Sequence, residues 1–200
     1  MTLHLWLEGY RSELQKLGYD YSDEIIINDF FYEHDKTQIK YPDIDFDPFI
    51  QKVENYIIEH ISKIKLYEGV HETLSKLEDN NITLALVSSS PRKLLKEVLE
   101  FNNLDKFFKI YLGFDDVANH KPDPEPFLKI IEIIKLDPKT TLVIGDSNND
   151  IVAAKAARLD SCLFLPEENI KFYNFDKFKK EDPTFRVSDL KDFTNLLINI

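Results

Sequence analysis

The residues whose types and spacing could do chemistry sit in three short segments. In Gly145-Asp146-Ser147-Asn148-Asn149-Asp150, Asp146 projects from the end of the apolar run Leu142-Val143-Ile144. Asp150 follows about one helical turn later, so both carboxylates can face the same point. A few oxygen ligands beside an anion suit Mg2+, which keeps water in its remaining positions. The competing interpretation, Asp146 as a simple helix cap, leaves the second aspartate and the glycine unexplained. In His120-Lys121-Pro122-Asp123-Pro124-Glu125-Pro126, prolines at alternate positions restrict the backbone after Lys121. An isolated lysine is ordinarily a solvated surface charge, but one held rigidly before a helix is suited to neutralising a phosphoryl group and the carboxylate attacking it. The third segment is Ser88-Ser89-Ser90, before Pro91. The Ser88 hydroxyl, the backbone N–H groups from Ser89 onward and the start of the next helix make an anion-receptive turn. Taken alone, serines at such a turn more often cap the helix, here through Ser90.

These segments need elements to position them. Leu3, Trp6, Leu7, Tyr10, Leu14 and Leu17 recur at helical spacing, and Gly18 supplies a left-handed stop. Ser22 caps a second helix whose apolar side is Ile26, Ile27, Phe30 and Phe31; a third starts at Asp47-Pro48 and runs through Phe49, Val53, Tyr56, Ile57 and Ile61. Residues 1–65 therefore read as a helical subdomain. From residue 66 to 200 the pattern changes to short apolar runs alternating with helices, with strands expected at 82–88, 108–113, 141–145 and 161–165 and a closing helix at 188–198. Continuous runs such as Leu84-Ala85-Leu86-Val87 belong to strands covered on both faces. The expected class is α/β, a doubly wound, mostly parallel sheet that binds ligands at the carboxyl ends of its strands, where Ser88, Asp115-Asp116 and Asp146 fall.

Charge narrows the partners. The chain has 25 basic and 36 acidic residues, a formal charge of −11, which repels phosphodiester backbones and anionic lipid. No apolar run approaches the roughly 20 residues that span a bilayer, and no basic, apolar leader opens the sequence. Nucleic acid and membrane are thus not expected partners, and the single cysteine, Cys162, fits a reduced cytoplasmic core position rather than a disulfide or zinc cluster. The five histidines are scattered; only His120 adjoins a candidate residue, and Arg92 is read as a surface arginine before a substrate contact.

In this order and spacing, Ser88, Lys121 in Lys-Pro-Asp-Pro, and Gly145-Asp146-Ser147 with Asp150 resemble the second, third and fourth motifs of the haloacid dehalogenase superfamily. The branch is that of phosphoglycolate phosphatase-like and β-phosphoglucomutase-like enzymes. Tyr67-Glu68-Gly69-Val70 also looks like that family's return from an inserted helical cap to the core. The resemblance implies Mg2+-dependent hydrolysis of a small phosphorylated metabolite through an aspartyl-phosphate. Ser88, Ser89 and Lys121 would hold the phosphoryl group and Asp146 and Asp150 the metal. A β-phosphoglucomutase-like mutase is the nearest enzymatic alternative.

The family's first motif, D-x-D-G-T, carries the nucleophile, and this sequence has none. Trp6-Leu7-Glu8-Gly9 has its outline, but Trp6 is no nucleophile and its surroundings have a helical period. Asp43-Ile44-Asp45-Phe46-Asp47 follows no apolar strand, and as a calcium loop it has Pro48 where a glycine must turn the chain; it reads as an acidic lead into a helix. The motif is expected upstream of Met1. The chain alone would then be a phosphate- and Mg2+-binding pseudoenzyme or fragment, its central strand replaced by self-association, by strand donation, by its own tail or by closure of the two neighbouring strands.

Overall fold

Each apolar stripe in the first third of the sequence becomes the buried side of a helix. The computed structural model describes residues 2–31, 34–173 and 182–198, and contact density divides the chain into the units Met1–Leu66 and Tyr67–Ile200. In the first, α1 (Leu3–Lys16) buries Leu5, Leu7, Tyr10 and Leu14. Leu17, expected on that face, falls beyond the helix and is exposed, because the chain turns at Gly18, whose φ is +89°. Helix α2 (Asp23–Phe30) starts at Ser22, whose hydroxyl accepts from the Ile25 N–H, and α4 (Phe46–Glu59) has its cap at Asp45, two residues before the expected Asp47. Phe30, fully buried, anchors an aromatic cluster: its ring centroid lies 5.8 Å from Tyr10, 5.0 Å from Tyr41 and 6.2 Å from Phe46.

One helix of this unit has no signature in the sequence. Helix α3 (His34–Lys40) carries no apolar period and instead hangs on Asp29. The Thr37 hydroxyl donates to the Asp29 carbonyl, while the Lys40 ammonium and the Tyr41 hydroxyl reach the Asp29 carboxylate at 2.7 and 2.6 Å.

The second unit alternates strands and helices. Helix α5 (Val70–Asp79) leads to β1 (Ala85–Val87), α6 (Arg92–Phe101), β2 (Ile110–Leu112), α7 (Glu125–Ile134), β3 (Leu142–Gly145), α8 (Asn148–Ala156), β4 (Asp160–Phe164), β5 (Phe185–Val187) and α9 (Leu190–Ile198). All strand pairs are parallel, as the continuous apolar runs require, but they form two sheets, β1-β2 and β3-β4-β5. Strand β5 was not expected; at three residues, with the middle one exposed, it is too short to show a period. Of the charged segment between β4 and β5, residues 174–181 lie outside the described residues, and Glu167–Phe172 form a 3-10 helix.

The closure expected between the strands flanking Ser88 and Asp146 does not occur. Strands β1 and β3 do not pair with each other, and no described strand pairs with the remaining edge of either. Nor does the C-terminal part fill the interval, since β5 extends the far side of β4. Side-chain layers hold the two sheets together instead. On one face Phe127, Val143, Ala153 and Ala154 pack with Val87 of β1; on the other, Leu77, Cys162 and Phe193 pack with Ile82, Leu84 and Leu142. The ladder is interrupted while the apolar cover is continuous. Consequently Ile144 of β3 is 39% exposed, whereas Cys162 and Leu163 of β4, paired on both sides, are 0% and 1% exposed.

Candidate phosphate and metal site

At the end of β3 the chain turns into α8 through a reciprocal cap. The Ser147 hydroxyl accepts from the Asp150 N–H, and the Asp150 carboxylate accepts from the Ser147 N–H at 3.1 Å and its hydroxyl at 2.6 Å. The sequence carries the matching signal, Ser-x-x-Asp at the start of a helix. Gly145 is what allows it. A Cβ there would come within 2.4–2.6 Å of the Asp150 side chain, so any other residue would push the carboxylate away from the strand end.

The other Asp150 oxygen receives the Lys121 ammonium at 2.7 Å, with the side chains only 10% and 9% exposed. Burial alone would raise the Asp150 carboxyl, but the adjacent ammonium and the Ser147 hydrogen bonds outweigh it and hold the group below its ordinary range. Asp146 behaves oppositely. Burial first, and the like charge of Asp150 second, push it up to about 6, with Lys121 opposing. Two carboxylates thus share one lysine, and Asp150 takes it. Among the described residues no salt bridge reaches Asp146. Its oxygens are the donors best suited to a hard cation, with Asp150 contributing from a position already saturated by Lys121 and Ser147. Two carboxylates, with no group of three or more His, Cys, Asp or Glu among the described residues, fit a water-rich Mg2+ site better than a closed protein cage.

Lys121 therefore meets Asp150, with Asp146 nearby; the spacing implied only that the two aspartates face one point, and Lys121 joined them through the family resemblance. Ser88 and Ser89 lie at the end of β1, in the other sheet. The Ser88 hydroxyl accepts from the Ser90 N–H at 3.1 Å, a local turn, and Ser89 is exposed. Arg92 is occupied structurally: its N–H donates to Asp115, its guanidinium pairs with Asp116 at 2.9 Å and lies over the Tyr111 ring. His120 stacks on Phe114 with centroids 3.6 Å apart.

Beside Asp146 is a polar group that nothing in the sequence announced. The Tyr67 ring meets Phe164 edge-on, and its hydroxyl is bonded to the Asn169 amide; burial and the nearby Asp146 charge both raise the Tyr67 phenol. Asn169 is fully buried, yet its Oδ1 has no partner among the described residues, and neither has the buried Oδ1 of Asn148, next to Ser147. Such contacts span about a hundred residues of sequence, beyond the reach of any local motif. The helical unit holds a groove of about 650 Å³ between α1 and α4, with Glu13, Asp43, Asp45 and Glu59 among its lining, and none of the candidate residues belongs to it.

Comparison with known proteins adds to this geometry. Residues 2–164 match the profile described as haloacid dehalogenase-like hydrolase. The pyrophosphatase PpaX of Oceanobacillus iheyensis is 30% identical over 72% of this chain and 65% of its own length. The phosphoglycolate phosphatase of Aquifex aeolicus is 30% identical over 73% of this chain and 65% of its own. Against a third relative, phosphoglycolate phosphatase 1 of Pseudomonas aeruginosa, the match covers 50% of that protein, so the chain spans about half to two thirds of the length of the curated relatives it matches. Among solved structures, a hydrolase from Pseudomonas syringae superposes with a TM-score of 0.79 at 18% identity, covering 98% of this chain and 92% of that one, which is a likeness of fold.

Proposed function

The chain belongs to the haloacid dehalogenase-like hydrolase family, and from that premise we propose that it supplies the phosphate and Mg2+ pocket of a phosphatase acting on small phosphorylated metabolites. The observation that carries the proposal is the buried Lys121–Asp150 pair at the end of β3, 2.7 Å apart, beside an Asp146 carboxyl pushed up to about 6. A cation clamped among two buried carboxylates at a strand end is poorly matched until an anion and a metal join it. In this reading Lys121 faces a phosphoryl oxygen and Asp146 anchors the metal, while Asp150 orients Lys121 and contributes to the metal through water. Ser88 and Ser89 offer a hydroxyl and backbone N–H groups to the other phosphoryl oxygens. Mg2+, when bound, neutralises phosphoryl charge there. In this reading the helical unit corresponds to the inserted cap that the family resemblance implies. A reduced, cytoplasmic setting belongs to the same proposal, supported by Cys162 as a buried free thiol.

No D-x-D-G-T motif stands among these 200 residues, and in this reading the edges of β1 and β3 that no described strand pairs would seat one more parallel strand carrying it. The test compares the chain as it stands with one carrying an added parallel strand that ends in D-x-D-G-T. Substrates are p-nitrophenyl phosphate and inorganic pyrophosphate, the latter because one relative is a pyrophosphatase. The shorter chain is expected to match its Lys121→Ala control, and the longer one to turn over with Mg2+. Turnover by the shorter chain that Lys121→Ala abolishes would overturn the external nucleophile. A longer chain that binds phosphate yet stays inactive would favour a binding protein.

A further inference from the structure

We infer that Glu125 is a positioning residue for Lys121, acting through the backbone of the loop between them; the inference rests on the phosphate-site reading above. A lysine side chain has four rotatable bonds, and holding its ammonium 2.7 Å from Asp150 is useful only if the main chain that launches it is fixed. Residues 117–124 lie in no helix or strand. The Asp123 N–H donates to the His120 carbonyl at 2.8 Å, closing a turn around Lys121, and the Glu125 N–H donates to the Asp123 carboxylate at 2.8 Å; neither bond reaches residues 117–119.

Glu125 closes the other side. One carboxylate oxygen accepts from the Ala118 N–H and the other from both the Asn119 N–H and its side-chain amide, each at 2.8 Å. These bonds hold the Glu125 carboxyl below its ordinary range. They tie residues 118–119 to the first residue of α7, so the loop becomes a ring with Lys121 at its crest. No ion pair joins Glu125 to Lys121 among the described residues; Lys121 pairs with Asp150 alone. Whatever Glu125 does for the ammonium therefore passes through the main chain. The stack of His120 on Phe114 braces the same crest from the end of β2.

The discriminating variant is Glu125→Gln, isosteric but able to accept at only one of the two atoms, with an amide hydrogen facing a backbone N–H at the other. The measurement is nuclear magnetic resonance of the whole chain, following the Ala118 and Asn119 amides and the Lys121 ammonium, the last assigned by its loss in Lys121→Met. Glu125→Gln is expected to speed exchange at both amides and at the Lys121 ammonium by about tenfold or more. It should also weaken binding of inorganic phosphate with Mg2+ by about tenfold, as losses in a supporting shell commonly do. Faster amide exchange with an unchanged Lys121 ammonium would overturn the inference, leaving Glu125 a loop fastener, and unchanged amides would overturn it too. If Glu125→Gln does not fold, Glu125→Asp keeps both oxygens one methylene short and must give an intermediate ammonium signal; a wild-type signal there overturns the proposal. Failure of the unaltered chain to bind phosphate would remove the phosphate reading, while the ammonium signal would still decide the role of Glu125.

Discussion

The two units of this chain are stabilised in different ways. In the helical unit every helix satisfies its own interior hydrogen bonds, so the unit is complete once apolar faces meet, and its aromatic cluster around Phe30 leaves little exposed. In the α/β unit each strand needs two neighbours. Among the described strands β4 has both and is buried from Ser161 to Phe164, while β1 and β3 have one each and all three residues of β1 remain partly exposed. The polar groups divide the same way. Asp29 in the helical unit is matched by Lys40 and Tyr41, whereas Asp146 shares its lysine, and Asn148 and Asn169 keep buried oxygens without partners among the described residues. The helical unit is optimised for itself, and the α/β unit carries unmet bonding capacity at the strand ends where a ligand would bind.

The largest expected effect tests that contrast directly. Phe30→Ala should cost about 3–5 kcal/mol in urea unfolding, because a fully buried ring is removed from a packed cluster. Ile144→Ala on the open side of β3 should cost no more than about 1 kcal/mol, since 39% of that residue already faces solvent. Equal losses would mean that the edge of β3 is covered in solution.

Next in size is Lys121→Ala, expected at about 3 kcal/mol because it leaves Asp150 buried without its cation and Asp146 beside it. Adding Asp150→Asn should recover part of that loss in a double-mutant cycle, a coupling that strict additivity would refute. Gly145→Ala should cost about 1–3 kcal/mol, as the new Cβ displaces the Asp150 side chain. It should weaken the Lys121–Asp150 pair in the same step, which a raised Asp150 carboxyl in a carbon-detected titration would register. An unshifted Asp150 would show that the turn absorbs the methyl group elsewhere.

The same contrast explains what could be read from the residues alone. Helices with a strong apolar period, α1, α2 and α4, and strands with continuous apolar runs, β1 to β4, were legible; Lys121, Asp146 and Asp150 were singled out by the prolines after the lysine and by the strand end before the aspartates. Helix α3 was not, since its order comes from hydrogen bonds to Asp29 rather than from a pattern of its own. The partition of the sheet was not, because a strand's neighbours are a property of topology. The pairing of Tyr67 with Asn169, separated by 102 residues, was equally invisible. The Glu125 clasp was missed for a different reason: its acceptor lies six and seven residues from its donors, a spacing outside the familiar turns.

The smallest expected effect concerns pH and Mg2+ together. Asp146 is raised from 3.8 to about 6, so its contribution to stability is fully present below about pH 4 and is lost as pH rises through about 6. The ionised carboxylate then costs on the order of 3 kcal/mol at pH 7. Asp150 has the opposite sign: its contribution is present above the ordinary carboxylate range and is lost only as pH falls below it, outside this window. Mg2+ bound through Asp146 needs the ionised form, so its apparent affinity should fall about tenfold between pH 7 and pH 5. With so few ligands, dissociation near 1 mM is expected at pH 7, to order of magnitude. At about 10 mM Mg2+ the linkage relation gives roughly 1.4 kcal/mol of stabilisation at pH 7 and roughly 0.4 kcal/mol at pH 5. Thermal unfolding should register the difference as about 2–4 °C. A Mg2+ shift of equal size at both pH values, or one that survives Asp146→Asn, would break the assignment of the metal to Asp146.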